Sequence, residues 1–433
     1  MIEYGLIGER LGHSYSPRIH RFFGEYDYRL YPMPLQDVEA LLRGKQFKGL
    51  NVTIPYKQAV LPFCDQLSPS VRAIGSANTL VNRNGKICAY NTDLAGMLSM
   101  LDRAGIGLTG RKVVILGSGG TSLTAQAACR ERQARETVVV SRNGPVTYED
   151  LYENHTDAEV LINATPVGMY PHNMASPIEL SRFPCVRGVA DVIYNPAKTK
   201  LLLDAEAAGI PRIDGLWMLV AQAWHAAKLF LGTEIPEEKI QEAYQSVRRE
   251  CLNLVLVGMP GSGKSTQARL AAEKLNRPFV DLDAEIVKRH GPIPRIFEEQ
   301  GEAGFRAVES EIVREYGKES GLVIATGGGA VLWPENVLAL RQNGVLCWLR
   351  RPIEQLATQG RPLSVNQEKL REMEQTRLPL YRACADYSVD SQEEKALTAH
   401  RIVEGFYEAA GAERAEPEHA GHPGKTSVRN ADL

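Results

Sequence analysis

Residues 252–266 read LNLVLVGMPGSGKST. An apolar run ends in a glycine loop, and an amphipathic stretch, QARLAAEKL, follows it. From Gly258 to Ser265 the loop fits G-x-x-x-x-G-K-S, with a strand before it and a helix after it, the setting a phosphate cradle needs. Backbone N–H groups of Gly261, Ser262, Gly263, Lys264, Ser265 and Thr266 would hold phosphate oxygens. Lys264 would reach the β- and γ-oxygens of ATP, and the Ser265 hydroxyl would ligate Mg2+. Strand, loop and helix in that order predict a parallel α/β layer. More than half of the 433 residues precede this loop, and they contain a glycine turn of their own.

That earlier turn is VVILGSGGTS, residues 113–122. Gly117, Ser118, Gly119, Gly120 and Thr121 sit between a strand pattern and a helix pattern, where free N–H groups suit a pyrophosphate. The spacing is looser than the dinucleotide fingerprint, and a plain tight βα connection fits equally well. The next strand, TVVVS, leads into Ser141, Arg142 and Asn143. A site for NAD carries an acid here for the ribose diol, whereas an arginine can pair with a 2′-phosphate, so NADP is favoured over NAD. The plain alternative for Arg142 is a solvated surface charge.

A chain of this length is expected to form two or three domains. The 50 basic and 52 acidic residues balance, which argues against a nucleic-acid partner. Seven scattered cysteines with no C-x-x-C pair argue against a disulfide framework or zinc site, and fit a reducing compartment. The start MIEYGLIGERLG has no basic segment followed by an apolar run, so no signal peptide and a cytoplasmic location are expected. The greasiest stretch, 215–232, includes Gln222, His225 and Lys228 at helical spacing and reads as a buried core helix rather than a membrane span. Short apolar strands alternate with helical patterns throughout, which predicts parallel sheets. A seam is expected at 240–252, where the charged helix pattern IQEAYQSVRREC gives way to a new strand. The polar stretch 412–433 is expected to be disordered.

The first hundred residues carry polar clusters: Ser14 and Ser16 in GHSYSP, Thr53 and Lys57 in NVTIPYK, Asn78 in SANTL, Asn91 and Asp93 in YNTDLAG. The two serines could bind a carboxylate or simply cap the following helix. HSYSP, NVTIPYK, SANTL, YNTDLAG, LGSGGTS, INATPVGM, DVIYNP and DGLWMLVAQA stand in the order seen in shikimate dehydrogenase, and over about residues 1–245 the chain resembles that family. The resemblance implies an α/β substrate domain at 1–108, completed by helices from about 212–245, and a Rossmann-type NADP domain at 109–211. It implies reduction of 3-dehydroshikimate to shikimate, with Lys57 and Asp93 as the catalytic pair. A positioned ammonium can stabilise the developing oxyanion and protonate it. Ser14, Ser16, Thr53, Asn78, Tyr194 and Gln222 are implied as the substrate shell, and Val192 and Gly215 as neighbours of the nicotinamide. Trp217 departs from the family's usual glycine and puts a bulky side chain beside that expected site.

Downstream of the phosphate loop come Asp281 and Asp283 in FVDLD, then Phe305 and Arg306 in GEAGFRAVES, ATGGGAV, Arg361 in GRPLS and Arg377 in TRLPLY. Strand alternation is expected to send the two aspartates to one side, one toward Mg2+ and one toward a substrate hydroxyl. In this order the motifs of about 252–410 resemble shikimate kinase. The resemblance implies shikimate binding by Asp283, Arg306, Gly328 and Arg377, with Asp283 as base, Asp281 with Ser265 at the metal, and Arg361 as a lid arginine over ATP. Thr358 and Gln359 stand where the family often has a second lid arginine.

The expectation is a bifunctional enzyme with a P-loop kinase domain at 252–411, using NADP(H), ATP and Mg2+. Its partners would be small-molecule substrates, not nucleic acid or membrane. Monomer and homodimer both stay open. So do activity on quinate, a kinase for another small polyol, and a half that only senses ligand. Intact Lys57, Asp93, Lys264 and Asp283 argue against a sensor.

Overall fold

A computed structural model of the chain describes residues 2–12, 14–356, 367–391 and 394–411. Arg361, Thr358, Gln359 and the stretch 412–433 lie outside the described residues. Three sheets follow one another along the chain.

The first sheet is built from β1 (Tyr4–Gly8), β2 (Tyr28–Pro32), β3 (Gly49–Val52), β4 (Gln66–Leu67), β5 (Thr79–Arg83) and β6 (Lys86–Tyr90), in the order β2-β1-β3-β5-β6-β4. Helices α1 (Ser16–His20), α2 (Leu35–Gly44), α3 (Pro69–Ile74) and α4 (Thr92–Arg103) are interleaved with these strands. The sheet is mixed rather than parallel: β5 runs antiparallel to both β3 and β6. The cause is local. Asn84 and Gly85 both take positive φ, 53° and 82°. Two such residues make the tight turn that joins antiparallel strands in a hairpin.

The second sheet is fully parallel, in the order β11-β10-β9-β7-β8, from β7 (Lys112–Leu116), β8 (Glu136–Val140), β9 (Val160–Asn163), β10 (Gly188–Asp191) and β11 (Arg212–Ile213). Helices α5 (Gly120–Glu131), α6 (Tyr148–Asn154) and α7 (Lys200–Ala207) connect its strands. Strands β7 and β9 are buried along their whole length, as central parallel strands covered on both faces must be.

Two helices then return toward the first sheet. α8 (Gly215–Leu231) is the greasy stretch, and it packs along α4 as a core helix. It stops where Gly232 turns left-handed, φ 65°. α9 (Glu238–Cys251) packs against α8 and α1. Among the described residues no helix is long and apolar enough to cross a membrane.

One residue after α9 the third sheet begins. β12 (Asn253–Val257), β13 (Phe279–Asp281), β14 (Val323–Ala325), β15 (Gly344–Arg350) and β16 (Tyr387–Asp390) are all parallel, in the order β13-β14-β12-β15-β16. Around them lie α10 (Lys264–Leu275), α11 (Leu282–His290), α12 (Ile293–Gly317), α13 (Pro334–Asn343), α14 (Gln367–Cys384) and α15 (Lys395–Gly411). α15 packs against α9 as well as α10, so the third unit rests on the helix that leads into it. Arg248 of α9 ties the seam: it pairs with Asp214 at 3.0 Å and donates to the Ala410 carbonyl of α15 at 3.1 Å.

Candidate functional sites

In the first half the two expected catalytic residues meet. Lys57 follows β3 and Asp93 opens α4, and Lys57 Nζ lies 2.6 Å from Asp93 Oδ2. The second carboxylate oxygen, Oδ1, accepts from Asn78 Nδ2 at 2.9 Å. Asn78 Oδ1 in turn accepts the Thr92 N–H at 2.7 Å, so the start of α4 and the segment leading into β5 are locked together. Gln222 of α8 joins this group, its Oε1 accepting from Asn78 Nδ2 at 3.3 Å. The lysine is thus aimed by a carboxylate that is itself held from behind, which leaves the ammonium's other protons for a ligand.

Ser14 and Ser16 take part in the start of α1. Ser14 Oγ accepts from the Ser16 N–H at 3.2 Å, and the two hydroxyls are 3.1 Å apart. The N-cap of α1 is Tyr15, without a side-chain cap, so Ser14 only braces the turn before the helix, and its side chain is half-buried. Thr53 leaves β3 with its N–H bonded to the Ile7 carbonyl at 3.0 Å. Tyr194 lies past β10, its ring 5.5 Å from that of Tyr15, so the second sheet's loop reaches the serine motif. Burial pushes the Tyr194 hydroxyl up from its ordinary pKa.

Gly117 has φ 103°, and a methyl there would press on Thr165 and the Ala164 carbonyl. Gly119 caps α5 and Gly120 begins it, with open space beside both. Ser118 and Thr121 flank them at the same helix start, while Ser141, Arg142 and Asn143 follow β8 with Arg142 exposed. The turn thus offers helix N–H groups facing free space, which fits a dinucleotide pyrophosphate. At Gly215 a methyl would collide with the Val192 carbonyl, so glycine lets α8 start against the end of β10.

Trp217 does not stand beside that approach. Its Nε1 donates to Ser99 Oγ of α4 at 2.9 Å, Arg103 lies 3.9 Å over its ring, and Tyr244 of α9 meets it edge-on. Helical rotation from Gly215 turns the indole into the core between α4, α8 and α9. The bulky change is structural, filling a helix interface.

In the last unit a cavity of about 550 Å3 opens beside the phosphate loop. Lys264, Asp283, Arg306, Glu309 and Arg377 line it together with the glycines 327–329. Lys264 Nζ donates to the carbonyls of Gly258 (2.9 Å) and Met259 (3.0 Å), which holds the lysine over its own loop. Gly263 adopts φ 94°, and Ser265 and Thr266 are exposed at the start of α10. Such a loop, with exposed hydroxyls at a helix N-terminus, fits a triphosphate with its Mg2+. Ser262 differs: its hydroxyl is buried inside the loop.

Asp281 and Asp283 are not on one strand. Asp281 ends β13 and caps α11, its Oδ1 accepting the Ala284 N–H at 3.2 Å, whereas Asp283 is in the helix's first turn. The helix begins earlier than alternation assumes because Asp281 is a strong cap. Asp283 nevertheless faces the cavity: a methyl on Gly327 would stand 2.8 Å from its Oδ1. Arg306 is 4% exposed and its Nη1 lies 2.6 Å from Glu309 Oε2. Tyr381 donates to the Gly328 carbonyl at 2.5 Å and fixes the glycine loop from α14, the helix that carries Arg377.

Glu309 is a cavity residue that motif reading passed over. Burial drives its pKa up from the ordinary carboxylate range, and the Arg306 guanidinium opposes that shift. It stands three residues after Arg306, a spacing that places both on one helix face, but a lone glutamate in a charged helix reads as solvated surface.

A two-domain α/β oxidoreductase body followed by a P-loop kinase is the class that these folds and sites define. Comparison with known proteins makes it specific. The family model described as shikimate dehydrogenase substrate binding domain matches residues 6–80, and that described as shikimate kinase matches 260–407. Shikimate dehydrogenase (NADP(+)) from Clostridium perfringens is 32% identical over 266 residues, 57% of this chain and 98% of that protein. Among solved structures, a chorismate mutase/shikimate 5-dehydrogenase fusion protein from Clostridium acetobutylicum superposes with TM-score 0.54 at 32% identity, over 57% of this chain and 97% of that one. Shikimate 5-dehydrogenase from Thermus thermophilus, solved in complex with NADP(H) and shikimate, superposes with TM-score 0.52 at 31% identity, over 57% and 99%. The chain belongs to the shikimate dehydrogenase family through its first half and carries a shikimate kinase domain in its second.

Proposed function

We propose that the first half reduces 3-dehydroshikimate to shikimate with NADPH, and that the second phosphorylates shikimate at its 3-hydroxyl with MgATP. The domain division that goes with this is 1–108 with 212–245, 109–211, and 252–411. What carries the reading is that each half holds its full polar constellation, Lys57–Asp93–Asn78 in one and Asp283–Arg306–Arg377 beside Lys264 in the other.

NADPH, when bound, supplies the hydride to the ketone carbon, and MgATP supplies the phosphoryl group. Lys57 stabilises the negative charge that grows on the ketone oxygen and gives it a proton. Asp93 holds the lysine in place. Ser14, Ser16, Thr53, Tyr194 and Gln222 would hold the carboxylate and hydroxyls of the substrate. In the kinase half Asp283 would take the proton of the attacking hydroxyl, while Arg306 and Arg377 hold the shikimate carboxylate in bidentate fashion. Lys264, Ser265 and Asp281 would serve the phosphates and the metal, and Arg361 the transferring group. A cytoplasmic location goes with this reading.

The test gives the purified chain 3-dehydroshikimate, NADPH and MgATP. Shikimate 3-phosphate is the expected product. Shikimate accumulating without the phosphate overturns the kinase assignment, and absence of NADPH oxidation overturns the dehydrogenase assignment.

A further inference from the structure

Helix α13 lies in the kinase half, yet its last two residues serve the other half. Gln342 and Asn343 are polar and buried, 0% and 3% exposed. Asn343 Oδ1 accepts the Ala197 N–H at 2.9 Å, and Asn343 Nδ2 donates to Asn195 Oδ1 at 3.4 Å and to the Lys318 carbonyl at 3.3 Å. The Gln342 carbonyl accepts the Lys198 N–H at 2.9 Å. The Gln342 side chain also grips Asn173 at two points: its Nε2 donates to the Asn173 carbonyl at 2.6 Å, and its Oε1 accepts from Asn173 Nδ2.

The two gripped segments are the loops that follow β9 and β10. They leave the carboxyl edge of the parallel sheet, the edge at which open α/β sheets bind their ligands. Residue 194, immediately before the gripped stretch, is the tyrosine whose ring meets Tyr15 in the serine motif. The base of this loop is fixed inside the first half, where Asp191 accepts from Asn163, Ile193 N–H and Thr199. Its crown is fixed by the kinase: the N–H groups of Ala197 and Lys198 find their acceptors on α13.

We propose that Asn343 is a positioning residue for the dehydrogenase reaction, setting the loop that presents Tyr194 to the substrate cleft, while the Gln342 side chain braces the neighbouring loop at Asn173. The inference rests on the dehydrogenase reading above. Deleting the Asn343 amide leaves the Ala197 N–H buried without its acceptor, and the loop must move to satisfy it. Displacements of about an ångström at a substrate-holding group lower activity by about a hundredfold in unfavourable cases.

The experiment uses the full chain with Asn343→Ala, Gln342→Ala and the double substitution. Reduction of 3-dehydroshikimate is followed by NADPH absorbance, and phosphorylation of added shikimate is measured on the same preparations. For the double variant we expect KM for 3-dehydroshikimate to rise about tenfold with kcat changed less than about threefold, and kinase kcat/KM within about twofold of wild type. Asn343→Asp keeps an acceptor for the Ala197 N–H but loses the donor to the Asn195 and Lys318 oxygens, and should recover only part of the loss of Asn343→Ala. An active wild type with an unchanged KM in the double variant overturns the inference alone. Parallel loss of both activities also overturns it, because the residues would then only hold the molecule together. A wild-type chain that does not oxidise NADPH overturns the dehydrogenase reading itself, and this inference with it.

Discussion

Lys57 is held by Asp93, which is held in turn by Asn78, and with the proposed role of Lys57 this chain of contacts makes a sharp expectation. Lys57→Ala should lower dehydrogenase kcat by about 10²–10⁴, the usual range for a positioned proton donor. Phosphorylation of added shikimate should be unaffected. Loss of both activities would mean that the two sites are not chemically independent. A second residue sets a pH dependence. Burial pushes Asp191 from 3.8 up to about 6, against hydrogen bonds from Asn163, Ile193 and Thr199. Between those values the folded chain keeps a proton that the unfolded chain has released. Stability therefore falls as pH rises through this window and levels off above about pH 6, a change of about 3 kcal/mol if no other group compensates. Denaturant unfolding of wild type and Asp191→Asn should differ in slope between pH 4 and 6 and run parallel above it. Parallel curves throughout would refute the assignment.

At the scale of elements, α8 begins hard against β10 because position 215 lacks a side chain. Gly215→Ala forces that helix start away from Val192 and should cost about 1–3 kcal/mol, the usual range for an overpacked site. Thermal unfolding should report the cost, and an unchanged Tm would mean that the contact relaxes freely. Much of this architecture was legible beforehand. The phosphate loop, the glycine turn before α5 and the greasy helix each carry a local signal. The Asn84–Gly85 hairpin was passed over: the residue types of a tight turn are there, but alternation of strands and helices pointed to parallel sheets. Asp281 shows the limit of strand periodicity: a cap residue ends the strand before alternation can apply. Glu309, Gln342 and Asn343 were not legible. Their partners lie on other elements or along a buried helix face, and an isolated polar residue on a helix looks solvated until the tertiary neighbour is known.

Over the whole molecule the two halves share buried charge. Glu206 of α7 lies 3.2 Å from Arg212 in its own half and 3.1 Å from Arg341 of the kinase half. Removing one partner of a buried pair costs about 3 kcal/mol, less whatever Arg212 and Lys198, the latter 3.9 Å from Glu206, still compensate. Wild-type chain heated in steps should therefore lose both activities at one temperature, and Arg341→Ala should separate the two losses. Coincident losses in the variant would mean that other contacts suffice to couple the halves. The seam carries a further consequence. α9 ends at Cys251 and β12 begins at Asn253, so a single residue joins the halves. For domains on a flexible tether, the encounter of one site with the other follows the statistics of a random coil and its length. Here no such coil intervenes. The contacts of α9 with α15 bridge that joint, and under the proposed reading a product of the first site would reach the second by its own diffusion rather than being carried by a swinging arm.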